Sequence, residues 1–264
     1  MSGKMKNAPI YYAVAQLRYN PILSLETYLS AIQEKFRKAG YPGFKNVVSM
    51  AFNLAPISEG ETASEQVPQL QRAGRYVFSN IEETAGFILE QNTLSFQTTD
   101  YDTFNTFSTT LSQGLEFLHQ IVNLSFTERV GIRFLDVIKP HNDDNIHQYL
   151  IPEVLGLHGK LEGKSIHSFS ESLNRIKAGS LISRIIIQDG PLGFPPDLQP
   201  IGLQVAQRFS KINGTHGIID TDAFYDSREA FNLGGIKNHL NLLHDEIVKV
   251  FRAVITNHAL NAWK

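Results

Sequence analysis

The apolar positions of this chain follow two rhythms, and the switches between them mark its elements. Residues 11–19, YYAVAQLRY, alternate with period two and are rich in β-formers, which predicts a strand. Pro21 and Ser24 end it. Ser24 is the expected N-cap of a helix in which Leu25, Leu29, Ile32 and Phe36 recur at spacings of four, three and four. AGYPG at 39–43 stops that helix. Residues 45–54 read as a short strand, and 55–72, acidic and poor in large apolar residues, as a loop. Two strands follow, RYVFSNIEE and GFILEQNTLSFQTT, and then a helix with Asp102 as its expected N-cap. Phe104, Phe107, Leu111, Leu115, Leu118 and Val122 make one face of that helix, after which FTERVGIRFLDVIKP alternates as a strand until Pro140.

Leaving one early strand aside, this is a β-α-β-β-α-β order. It predicts an α+β fold with an N-terminal ferredoxin-like half over 1–140, carrying an insertion at 40–74. HNDDNIHQ at 141–148 is polar and reads as a linker. The second half, 150–264, is expected to be an antiparallel sheet packed on a long C-terminal helix. Its first hairpin turns at Lys177, Ala178 and Gly179. GPLGFPPDLQP at 190–200 is a loop. Two further strands, LQVAQRFSKIN and HGIIDTDAFY, are expected to pair through a turn at Asn213 and Gly214. The closing helix, starting at Ser227 or Asn232, carries Leu233, Ile236, Leu240, Leu243, Ile247, Val250 and Val254 at alternating spacings of three and four. Such a seam either lies on the protein's own sheet or forms a homodimer or protein-partner interface centred on Leu240, Leu243 and Ile247.

Composition narrows the function classes. With 264 residues the chain can build one large domain or two modest ones. A net charge of −2 supplies no global field for nucleic acid, which argues against such a partner without removing it. The charge is uneven all the same. Residues 1–45 hold seven Lys/Arg against two Glu, and 46–100 hold two Arg against seven acids. The plain consequence is a basic first helix lying near an acidic hairpin. The functional one is an interaction surface on Lys35, Arg37, Lys38 and Lys45. Cysteine is absent, so thiolate metal sites, Cys nucleophiles and disulfides are excluded. No apolar run of about 18 residues occurs, so no membrane span and a cytoplasmic location are expected.

Candidate chemistry is sparse. No P-loop, G-x-G-x-x-G or G-x-S-x-G occurs, and none of the nine histidines sits in an H-E-x-x-H. No cofactor is expected. Asp220 and Asp222 are two apart on a predicted strand and share a face, the arrangement a hard cation such as Mg²⁺ takes. The phosphate-gripping Gly-Ser before a helix that nucleotidyl transfer requires is missing, since Gly179–Ser180 runs into a strand. Arg129 and Arg133 share one strand face across Gly131. They demand carboxylate partners, or they line a concave sheet that reads a phosphate or carboxylate ligand.

Three ordered stretches, KNAPIYYAVAQLRYNP, ERVGIRFLDVI and LNLLHDEIVKVFRAVIT, resemble a family of sporadically distributed bacterial proteins of about 250–270 residues whose function is unknown. In the family pattern the middle strand more often reads R-I-G-L-R-Y-I-N; here Phe134 and Asp136 stand in place of the aromatic and the amide. The resemblance implies an accessory role in a mobile or defence-related locus and transfers no catalytic residues. The expected function is therefore a non-enzymatic binding or interaction protein. The alternatives are an RNA-processing endonuclease of double-ferredoxin type, or a metal-dependent phosphoryl-transfer enzyme built on Asp220 and Asp222.

Overall fold

The computed structural model describes residues 8–53, 69–141, 143–198 and 200–263. In chain order the elements are β1 (Ile10–Tyr19), α1 (Leu25–Lys38), β2 (Gly43–Asn53), β3 (Gln69–Ser79), β4 (Ala85–Leu89), β5 (Thr93–Thr98), α2 (Phe104–Val122) and β6 (Phe126–Ile138). The second half supplies α3 (Pro152–Leu155), β7 (His167–Ile176), β8 (Gly179–Asp189), α4 (Gln207–Ser210), β9 (Thr215–Ala230), α5 (Leu233–Val254) and α6 (Asn257–Ala262).

The strands form one nine-stranded sheet in the order β2-β3-β4-β5-β1-β6-β9-β8-β7, antiparallel at every pairing. The α+β class thus holds, with one continuous sheet: β6 pairs with β1 on one side and β9 on the other, so 1–140 and 150–264 build a common sheet. A topological echo runs through it. Two successive stretches, from β1 to α2 and from β6 to α5, each begin with a central strand (β1 or β6), reach the strand beside it (β5 or β9), and continue into a long helix (α2 or α5).

The first half departs from the expected four-strand pattern for a local reason. GFILEQNTLSFQTT is two strands, because Glu90 closes a tight hairpin by donating its backbone N–H to the Thr93 carbonyl at 2.9 Å. The extra strand makes β5 antiparallel to β1, where a split β-α-β unit has a parallel neighbour. Other boundaries also move. Thr103, not Asp102, caps α2 by accepting from the Thr106 N–H at 3.2 Å. The expected loop over 55–72 lies largely outside the described residues, but its end from Gln69 is strand. Residues 203–213 are not a strand and contain only the short α4. β9 pairs instead with β6 and β8. Asn232 caps α5 by accepting the Gly235 N–H at 2.9 Å, and the helix stops at Val254 before α6 begins.

α1, α2 and α5 cover one face of the sheet. Ala13, Ala15, Leu17, Val130, Ile132 and Phe134 pack there with Ile32, Phe36, Leu111, Leu115, Leu240 and Leu243. Phe36 sits 4.7 Å from Phe78 and 4.5 Å from Phe87, centroid to centroid, the aromatic heart of this layer. The segment 190–212 crosses the opposite face, where Leu192, Phe194, Leu198 and Phe209 pack on Tyr11, Tyr12, Leu135, Ile186 and Ile218. No helix among the described residues is long and apolar enough to cross a membrane.

Candidate functional site

The face under 190–212 gathers the charged residues singled out in the sequence. The register sets Arg133 opposite Asp222, Leu135 opposite Asp220 and Arg129 opposite Asp226. Arg133 donates from Nε and Nη2 to the two oxygens of Asp220, each at 2.7 Å, and from Nη1 and Nη2 to Asp197 at 2.8 and 3.1 Å. Arg184 adds a bond to Asp220 at 3.3 Å and another to Glu171 at 2.5 Å. Arg129 holds both oxygens of Asp226 at 3.1 Å and lies 3.8 Å from the centroid of the Phe224 ring.

These contacts correct two expectations. Asp220 and Asp222 do not present a paired carboxylate to a cation, because Asp220 is fully buried with both oxygens held by guanidinium groups. Asp222 is half-buried, and burial raises its carboxyl against the pull of Arg133 and Arg129. No group of three or more His, Asp or Glu side chains poised for a metal occurs among the described residues. Arg133, with four hydrogen bonds to carboxylates, has no fork left for an anionic ligand.

The basic patch stays on the surface, where three of its four cations pair with nearby acids, whereas the helix seam is taken up internally. Arg37 and Lys38 pair with Glu34, and Lys45 pairs with Glu83 at 3.0 Å. Ile236, Leu240, Leu243 and Ile247 are buried in the protein's own core, so the seam packs on the protein's own sheet, the first of the two arrangements expected. Leu242, 44% exposed, lies off that line.

Asp136 enters the sequence comparison only as a departure from the family's amide, and not as a candidate site residue. Strand alternation sets it in phase with Val130, Ile132 and Phe134, on the helix-covered face, where the next inward residue is Ile138. It therefore falls at the gap between the core layer ending at Phe134 and the smaller cluster beginning at Ile138. A shift in the β1–β6 register between Ile10 and Tyr12 places Ile10 opposite it. The signal was available: a carboxylate on the apolar stripe of FTERVGIRFLDVIKP.

Asp136 lines a cavity of about 400 Å³. The start of β1 (Ala8, Pro9, Ile10), the approach to α2 (Tyr101 to Phe104), the end of β6 (Phe134, Asp136) and one side of α5 (His244, Ile247, Val248, Phe251, Arg252) enclose it. Asp136 is 4% exposed and has no hydrogen-bond or ion-pair partner among the described residues. Burial alone pushes its carboxyl up to about 8. His244 stacks flat on Phe104, with centroids 3.8 Å apart and planes 9° apart, and stands edge-on to Phe134. Burial lowers its pKa, which favours the neutral ring. Tyr101 packs against Phe134 at 5.2 Å, and burial, then the charges of Asp136 and Asp102, push its phenol up. The arrangement is a largely apolar, aromatic-walled pocket that opens to solvent; Asp136 has no hydrogen-bond or ion-pair partner among the described residues, Thr103 and His244 add polar lining, and the exposed Asp102 and Arg252 stand at the rim. Of the residues chosen from the sequence, only Ile247 contributes to it.

Against known proteins, the chain matches no protein-family model, and no curated protein is significantly similar to it.

Proposed function

We propose that the protein is a binding protein, not an enzyme, and that the cavity over Asp136 is its binding site. The observation that carries this reading is the Asp136 carboxyl, 4% exposed and without a hydrogen-bond or ion-pair partner among the described residues, on the wall of a largely apolar pocket. A buried polar group costs free energy unless something pairs with it, and a ligand is the partner the fold leaves room for. The size and lining suit a small organic molecule, since such sites are mostly apolar with a few placed polar groups. His244, lying flat against Phe104, acts here as a wall of the chamber. The phosphoryl-transfer alternative loses its support with the engagement of Asp220 by Arg133 and Arg184. The family resemblance, an accessory role in a mobile or defence-related locus, and a cytoplasmic setting belong to the same proposal.

A thermal-shift screen of small organic molecules on the full chain tests it, repeated on Val248→Phe, which fills the cavity from a half-buried wall position. Ligands that stabilise the parent protein and lose their effect in the variant are the expected result. Ligands equally effective on both, or none at all, overturn the proposal.

A further inference from the structure

Resting on that reading of the cavity, we infer that its ligand is a small organic ammonium ion with an apolar body, seated with its charge on Asp136. Two features select this chemistry and a third admits it. The first is the carboxyl itself: once it gives up its proton it is an anion with no counter-charge among the described residues, which an ammonium ion supplies and an acidic ligand cannot. The second is the wall. Tyr101, Phe104, Phe134 and Phe251 line the chamber, and aromatic rings attract a cation through their quadrupole while covering the ligand's apolar part. The third is the position of the other charges. His244 is held towards the neutral form inside, and the exposed Arg252, which has no ion pair among the described residues, stands at the rim. The exposed Asp102 lines the rim as well, so the mouth carries charges of both signs and sets up no net barrier to a cation.

The cavity volume of about 400 Å³ sits near the low end of small-molecule sites, which run from roughly 300 to 1,000 Å³. A ligand with a single aromatic ring and a short amine arm is of suitable size. The titratable and charged groups around Asp136 are Tyr11 from β1, Tyr101 and Asp102 ahead of α2, and His244 and Arg252 from α5. Near neutral pH the Asp136 carboxyl holds a proton, so seating an ammonium ion there expels that proton to solvent.

Titration calorimetry on the full chain at pH 7, in two buffers of different ionisation heat, decides the matter with 2-phenylethylammonium and its neutral counterpart 2-phenylethanol. The expected result is binding of the ammonium ion at least about tenfold tighter than the alcohol, with proton release. In Asp136→Asn, which keeps the shape and removes the carboxylate, that preference and the proton release both vanish. Equal binding of alcohol and ammonium, or a preference that survives in Asp136→Asn, overturns the ammonium assignment and leaves the cavity as a binding site. If neither probe binds the parent protein, the assignment and the reading beneath it both fail.

Discussion

Arg133 on β6 and Asp220 on β9 form a two-pronged pair, with Nε and Nη2 each 2.7 Å from a carboxylate oxygen and Asp220 wholly shielded from water. Asp197 completes the cage from the covering segment, with its side chain 59% exposed. The asymmetry between the two acids yields a prediction. Asp220→Ala leaves two guanidinium groups facing a buried hole, and breaking a buried pair costs about 3–5 kcal/mol. Asp197→Ala removes a solvent-screened partner and costs about 1 kcal/mol or less. Urea denaturation of the two variants, compared with the parent, measures the difference.

Asp136 makes stability depend on pH. Its carboxyl rises from an ordinary value of 3.8 to about 8 in the fold, so between those values the folded chain keeps a proton that the unfolded chain has released. Its contribution to stability is therefore fully present below about pH 4 and is lost as pH rises to about 8, with a slope of up to ~1.4 kcal/mol per pH unit. His244, lowered by burial, slopes the other way at acid pH, but it is common to parent and variant. Subtracting the urea midpoints of the parent from those of Asp136→Asn across pH 4–9 isolates the carboxyl. The variant should gain relative stability from about pH 4 to about pH 8 and level off above that.

The helix seam is a core surface, and its variants should behave accordingly. Leu243 is fully buried, so Leu243→Ala should cost about 2–5 kcal/mol through lost burial and a residual cavity. The loss should be the same at low and high protein concentration, which a dimer seam would not allow. Leu242→Asp, at an exposed position on the same helix, should stay within about 0.5 kcal/mol of the parent.

Gly114 sets helix propensity against packing. In a free helix, alanine is better than glycine by about 1 kcal/mol. At Gly114 a Cβ would stand 2.3 Å from Cε1 of Phe87, and that ring is held by Phe36 at 4.5 Å, Tyr41 at 4.9 Å and Phe96 at 4.9 Å. With no direction in which to yield, the ring makes overpacking the larger effect, about 1–3 kcal/mol. Gly114→Ala should lower the thermal midpoint despite its better propensity.

Much of this architecture was legible along the chain. The period-two rhythm of β1 and β6, the three-four rhythm of α2 and α5, and the hairpin around Lys177 and Ala178 are local signals, produced by side chains a few residues apart. Where the same rule ran into a turn without glycine or proline, as at Glu90, Gln91 and Asn92, one long strand was expected in place of two. Residues 203–213 misled differently. Val205, Phe209 and Ile212 cover Tyr11, Tyr12 and Leu135 from the segment around α4, a demand that no local pattern states.

By itself the sequence determined which residues share a face: Arg129 with Arg133, Asp220 with Asp222, and Asp136 with the core-facing residues of β6. Only the tertiary structure decided what those faces meet. Arg133 and Asp220 are 87 residues apart in the chain and touch because β6 and β9 choose a particular register. The chamber over Asp136 likewise exists only where the start of β1, the approach to α2 and the side of α5 converge. The physical reason is one of range. Backbone sterics and side-chain periodicity act over a turn or a pleat, whereas ion-pair partners and cavities depend on how distant segments divide the buried space among themselves.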